Sequence, residues 1–224
     1  MNGFAIAIDG PAGAGKSSVA RAVARTLNAT YLDTGAMYRA VGLYMMKNGV
    51  PLDMPALIAA HADDAHVDVR YENGVQHIDL NGEDVSDAIR ENAVSAAASA
   101  VSAVPRVREL MVARQREIAA KTDVVMDGRD IGTRVLPAAP LKIFLTARAE
   151  VRAQRRYLEL KERGEKVDLD TLLEEIKKRD YNDSHRAVSP MTPAADAILL
   201  DSSDMTEAEV ISHVVALARE RMGR

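Results

Sequence analysis

An α/β fold built on a five-stranded parallel sheet is what the sequence predicts, and three observations carry it. Short apolar runs alternate along the chain with stretches of helical period, the pattern of parallel strands covered by helices on both faces. A glycine-rich loop, Gly10-Pro-Ala-Gly-Ala-Gly15-Lys16-Ser17, joins the first run to the first helical stretch. One segment, roughly 63–92, alternates apolar and polar residues instead and reads as a small antiparallel insert.

Residues 4–8 are apolar throughout and read as a buried strand. No basic flank precedes them and Asp9 ends the run, so a signal peptide is not expected. Residues 17–27 follow as a helix with Val19, Val23 and Leu27 on one face. Tyr31 and Leu32 mark a second short strand. Met37, Val41, Tyr44 and Met45 mark a helix ending near Asn48-Gly49. In the insert, Val67, Val69 and Tyr71 alternate, Asn73-Gly74 turns the chain, and Ile78 and Leu80 alternate again before a second Asn-Gly at 81–82. It reads equally as a cover over a substrate or as an edge decoration. Residues 93–103, rich in Ala and Ser, read as a helix. Apolar runs at 123–126, 141–145 and 197–200 supply three more strands, with helical stretches at 107–120, 149–162 and 169–179. The last helix opens on a capping box, Thr206-Glu-Ala-Glu209, and carries Val210, Val214 and Leu217 on one face. Met37, Met45 and Met46 are expected in the core. His61, His66, His77 and His213 lack metal-ligand spacing, and His185 is expected to be a neighbour of a site rather than a catalyst.

Composition narrows the function. With 224 residues, 47% of them hydrophobic, residues 1–224 can form a single domain with a substantial core. The absence of Cys excludes disulfides, thiolate zinc sites and Cys nucleophiles, and fits a reducing cytoplasm, the expected location. A net charge of −4 argues against a chain devoted to DNA or anionic membrane. Aromatics at 4%, without Trp, offer no stacking platform for single strands. No apolar run approaches the ~20 residues of a transmembrane helix. Neither nucleic acid nor membrane is therefore expected as a partner.

The loop at 10–17 matches G-x-x-x-x-G-K-[ST] with an apolar strand before it and an amphipathic helix after it. Such a loop turns backbone N–H groups around a phosphate, and the helix N-terminus adds its positive dipole end. Gly10, Pro11, Ala12, Gly13, Ala14, Gly15, Lys16, Ser17 and Ser18 are thus the candidate ATP cradle. Lys16 is placed to reach the β- and γ-phosphates and the Ser17 hydroxyl to ligate Mg²⁺. The motif alone leaves transfer, hydrolysis and mere sensing of a nucleotide open. No Asn-Lys-x-Asp tetrapeptide marks a GTPase, and no acidic pair closes a strand as in mechanical ATPases. Asp127 instead ends Val124-Val-Met-Asp and begins Asp127-Gly-Arg-Asp130, where a carboxylate can hold a Mg²⁺-bound water or cap a turn.

A phosphoryl transferase also needs an anion clamp for its acceptor. Arg179, Asp183 and Arg186 fall at i, i+4 and i+7, as do Arg148, Arg152 and Arg155. Residues 148–166 hold seven basic side chains against four Glu, a local positive excess. Surface helices often look like this, but spread phosphate charge also calls for several guanidiniums.

At this point the chain resembles a family. The stretches Ile8-Asp-Gly-Pro-Ala-Gly-Ala-Gly-Lys-Ser, Leu32-Asp-Thr-Gly-Ala-Met-Tyr-Arg39, Pro105-Arg-Val-Arg108, Asp127-Gly-Arg-Asp-Ile-Gly-Thr133, Lys142-Ile-Phe-Leu-Thr-Ala and Arg179-Asp-Tyr-Asn-Asp-Ser-His-Arg186 are similar to the bacterial cytidylate kinases of the short type. The resemblance implies a P-loop nucleoside monophosphate kinase fold, with a CMP-binding insert at 63–92 and a helical lid at 148–166. It implies ATP as donor with Mg²⁺, CMP and dCMP as acceptors, CDP and dCDP as products, and a monomer. By position, Thr34, Arg39, Arg129 and Arg186 would clamp the CMP phosphate. Ser99, Arg108 and Asp130 would meet the cytosine, Arg179 and Asp183 the ribose, and Arg155 the ATP phosphates. Lys16, Arg129, Arg155 and Arg186 would carry the catalysis. Thr34 stands where the family often has Ser, and Ser17 where some members have Gly; both keep a hydroxyl. Another P-loop kinase, such as one for shikimate, and a non-catalytic nucleotide sensor remain the rivals. The base assignment has a chemical check: a carboxylate accepts from the cytosine amino group, whereas uracil presents an acceptor there.

Overall fold

A computed structural model describes residues 4–223. In chain order its elements are β1 (Ala5–Asp9), α1 (Lys16–Leu27), β2 (Thr30–Asp33), α2 (Thr34–Lys47), α3 (Pro55–Ala60), β3 (Val67–Glu72), β4 (Val75–Leu80), β5 (Glu83–Asp84), α4 (Asn92–Ser102), α5 (Pro105–Ala119), β6 (Val124–Gly128), β7 (Leu141–Thr146), α6 (Ala149–Glu162), α7 (Leu169–His185), β8 (Ile198–Asp201) and α8 (Glu207–Met222). The larger sheet has five strands in the order β2-β6-β1-β7-β8, and the smaller has three, β3-β4-β5. The described residues divide into two compact units, residues 30–122 and residues 4–29 with 123–223.

In the second unit β1 is a central strand. It runs parallel to β6, with Ile8 opposite Asp127, and parallel to β7, with Ile8 opposite Ile143. β8 continues the sheet parallel to β7. Ile6, Ala7, Ile8, Val124, Val125 and Met126 are fully buried, which explains why these strands read as unbroken apolar runs rather than alternations. Parallel strands end at one edge, so the loops after β1, β6 and β7 leave the sheet together, where such sheets bind ligands. α1 covers β6 and meets α8. The capping box of α8 is formed in both directions between Thr206 and Glu209.

In the first unit the insert is an antiparallel sheet, with Val67 opposite Leu80 and Glu72 opposite Val75. Asn73 and Gly74 take φ of 52° and 77°, and Asn81 and Gly82 take 52° and 84°, the left-handed pairs that tight hairpin turns require. The Ala-rich stretch is α4, and its small side chains serve close packing on α2. A Cβ on Gly42 of α2 would stand 3.0 Å from the backbone of Ala97.

Three elements differ from expectation. Met46 is exposed, because adjacent helical positions point about 100° apart and Met45 takes the core side. α7 runs to His185 rather than stopping near 179. Its buried face passes from Leu172 and Ile176 to Asp183, and a polar residue on that face is invisible to hydrophobic period. Arg186 therefore caps α7 with extended backbone, φ −64° and ψ 142°, instead of sharing its helical face. Among the described residues no helix is long and apolar enough to cross a membrane.

Candidate active site

The loop between β1 and α1 is shaped by backbone. Gly10 has φ 146°, and a Cβ there would lie 1.9 Å from the Leu145 carbonyl oxygen on β7, so no larger residue fits. Gly15 is the left-handed N-cap of α1 and provides no side-chain cap. The first N–H groups of α1 thus face the loop without a side-chain acceptor, the arrangement that receives an anion. Within the loop, the Pro11 carbonyl accepts from Lys16 Nζ at 2.6 Å and the Ala12 carbonyl accepts from Arg152 at 3.0 Å. Gly13 and Ser18 are exposed and Ala14 is buried.

Lys16 is buried. Burial, and next the nearby guanidinium of Arg129, with a further push from Arg179, pull its ammonium down to about 7. The loop is thus loaded with positive charge that an oxyanion would relieve. Asp127, at the end of β6, is buried and accepts from Ser17 Oγ at 2.8 Å. A hydroxyl beside one carboxylate is the hard-oxygen pair that Mg²⁺ takes alongside phosphate oxygens and water. Among the described residues no cluster of three or more His, Cys, Asp or Glu forms a fuller metal cage.

Beyond β6 the chain presents Arg129 and Asp130. Arg129 Nε donates to Asp183 on α7 at 2.8 Å. Asp183 is buried, so the residue read as a ribose contact also fixes the guanidinium read as a phosphate clamp. Arg186 Nη2 lies 3.8 Å from Asp130, both side chains at most 8% exposed. Its Nε donates to the Ser189 carbonyl. Lys16, Asp127, Arg129, Asp130, Arg179, Asp183 and Arg186 all belong to the second unit, and Lys16 feels the charges of Arg129, Asp127 and Arg179 together.

Thr34, Arg39, Ser99 and Arg108 belong to the first unit. Thr34 is buried in the first turn of α2, whose N-cap Asp33 accepts from Ala36 N at 2.9 Å. Asp33 also pairs with Arg39 at 2.8 Å. Arg108, 4% exposed, donates to the Ser102 carbonyl at 3.1 Å and holds its guanidinium 5.5 Å from the Tyr38 ring centroid. Ser99 lies on α4, its carbonyl accepting from Ser102 Oγ.

Two residues to which the sequence reading assigned no individual site role stand here. Asp9 is buried at the end of β1, and both its carboxylate oxygens accept backbone N–H groups, from Ile131 and Gly132 at 2.7 Å each. Desolvation lifts its pKa to about 6 against those two hydrogen bonds, so it remains a carboxylate at neutral pH. An acidic residue closing an apolar strand just before the loop was the available signal. Arg152 is buried on α6 and joins the Ala147 carbonyl, the Ala12 carbonyl and, at 2.6 Å, Asp180 of α7. Arg155, one turn further along, turns instead to Ser202.

The sequence model of the family described as cytidylate kinase matches residues 6–220. A cytidylate kinase of Caldicellulosiruptor saccharolyticus is 47% identical over 223 residues, covering 100% of this chain and 99% of that one. One from Nocardia farcinica is 52% identical over 215 residues, covering 94% and 93%. Among solved structures, a gluconokinase from Sinorhizobium meliloti 1021 superposes with a TM-score of 0.52 at 16% identity, covering 99% of this chain and 95% of that one; the fold is shared. Loop, sheet and relatives agree, and the chain belongs to the cytidylate kinase family.

Proposed function

We propose that this protein transfers the γ-phosphoryl group of ATP to CMP and dCMP, giving CDP and dCDP. The observation that carries the reading is the phosphate loop, where Lys16 is buried with its Nζ on the Pro11 carbonyl and feels the charges of Arg129 and Arg179. Such a cluster of cations favours the charge that spreads over phosphoryl oxygens during transfer. The acceptor phosphate has a second pKa near 6 and is largely ionised at neutral pH, so no strong base is required, and no His stands in this cluster. Catalysis then rests on alignment and charge neutralisation. Lys16 meets the β- and γ-phosphates, and Arg129, oriented by Asp183, meets the acceptor phosphate with Arg186. Ser17 and Asp127 would hold Mg²⁺, which when bound neutralises phosphate oxygens. Asp130 accepts from the cytosine amino group, and Asp183 accepts from the ribose. Thr34 and Arg39 for phosphate, and Ser99 and Arg108 for cytosine, follow from the family resemblance. Residues 63–92 act as the acceptor-binding insert and 148–166 as a lid that excludes water.

A coupled assay with ATP against CMP, dCMP, UMP, AMP, GMP and shikimate tests the reading. CMP and dCMP should turn over far faster than the others. Turnover of another acceptor, or of none, would overturn it.

A further inference from the structure

We propose that Asp9 is a positioning residue that holds the cytosine-reading turn in register with the phosphate loop. The inference rests on the reading of Asp130 as the carboxylate that meets the base, and it concerns what keeps Asp130 in place.

The geometry brackets a two-residue span. The backbone of Asp9 is fixed in the sheet on both sides, opposite Gly128 of β6 and opposite Phe144 of β7. Its side chain crosses to the five-residue turn at 131–135 and caps the first two N–H groups there. Arg129 and Asp130 lie between these anchors, so Asp9 pins them at one end through the ladder and at the other through its carboxylate. Asp130 itself provides no side-chain cap to this turn, so the capping falls to Asp9. The residue after Asp9 is Gly10, whose position is fixed against Leu145. One aspartate thus joins donor loop and acceptor turn.

Asp9→Asn preserves size and one acceptor but sets an amide NH₂ against a backbone N–H, the wrong polarity for that partner. The turn should shift by a few tenths of an ångström, and base discrimination should suffer first. The measurement is the ratio of kcat/KM for CMP to that for UMP, at saturating ATP, in wild type, Asp9→Asn, Asp130→Asn and the double variant. A ratio does not depend on how much of a preparation is active, so partial unfolding does not disturb it. Asp9→Asn should lower the ratio about tenfold. Added to Asp130→Asn it should lower the ratio no further, the non-additivity of residues acting through one contact. Gly132→Ala, whose Cβ would stand 3.4 Å from Asp9 Oδ2 and 3.1 Å from Lys142 Cδ, should give the same loss in milder form and serves if Asp9→Asn does not fold. An unchanged ratio in both, or equal factors with and without Asp130, would leave Asp9 a purely structural residue and overturn the inference. An unchanged ratio in Asp130→Asn alone would instead remove the base reading assigned to Asp130.

Discussion

Lys16 and Arg70 are both cations among charged neighbours, yet their surroundings act in opposite directions. Arg70, on β3 of the insert, donates through Nε to both oxygens of Asp79 at 3.1 and 3.0 Å and also pairs with Glu72 and Asp84. The hydrogen bond to Asp79 raises its pKa above the usual arginine value. Lys16 is buried, its ammonium pressed by Arg129 and Arg179 and donating to a carbonyl, and its pKa falls to about 7. A cation surrounded by carboxylates is already neutralised and serves the local fold. Lys16 is desolvated and feels Arg129 and Arg179 more strongly than the nearby carboxylates of Asp127 and Asp9, so its surroundings compensate its charge poorly, as suits a site that takes an anion. The contrast separates structure from function without appeal to a ligand.

The widest gap should appear on truncation. Lys16→Ala should lower kcat by about 10²–10³-fold or more, the scale of losing one preorganised charge at a transition state, with the far-ultraviolet circular dichroism spectrum unchanged. Arg70→Ala should leave kcat within about twofold, as exposed ion pairs contribute little. Comparable losses in the two variants would erase the distinction.

Asp183 tests a residue that serves both roles. Because it holds Arg129 at 2.8 Å, Asp183→Ala should reduce kcat/KM for CMP and dCMP alike. Because its carboxylate is also read as accepting from a 2′-hydroxyl, CMP should lose about ten- to a hundredfold more, the scale of one hydrogen bond to a charged group. Equal losses would assign Asp183 to Arg129 alone.

The smallest effect is one of pH. The pKa of Lys16 in the folded protein, about 7, lies below its ordinary 10.5. Between these values the unfolded chain binds more protons, so this group's contribution to stability improves as pH rises across that window. Binding a polyphosphate restores the proton, so ATP affinity should weaken a few-fold from pH 7 to pH 8. Titration calorimetry in two buffers of different ionisation heat should report proton uptake at pH 8. Lys16→Arg, always charged, should abolish that uptake; uptake that persists would place the titrating group elsewhere.

Much of this was legible in the sequence because it is local. The phosphate loop depends on spacing within eight residues, and both Asn-Gly pairs of the insert declare left-handed turns that the structure contains. The parallel sheet followed from alternation. Asp9 was overlooked because its partners lie 122 and 123 residues away, a distance at which periodicity says nothing. Arg152 stood in an arginine series whose members look alike in sequence. Only packing shows that it is buried against the loop while Arg155 turns to Ser202. Hydrophobic period could not follow α7 to His185 once its buried face became Asp183.

The hold of Arg152 on the loop has a mechanical consequence. It fixes the root of α6 to the Ala12 carbonyl and to Asp180, so in the lid closure proposed above that helix would pivot near Arg152 and its far end would be the moving tip. Between residues 152 and 162 the arm is about 15 Å long, at ~1.5 Å per residue, and a rotation of about 20° carries the tip about 5 Å. Leverage of this kind turns a small torque at the phosphate loop into a displacement the width of a phosphate group, while the pivot and the loop beside it stay still.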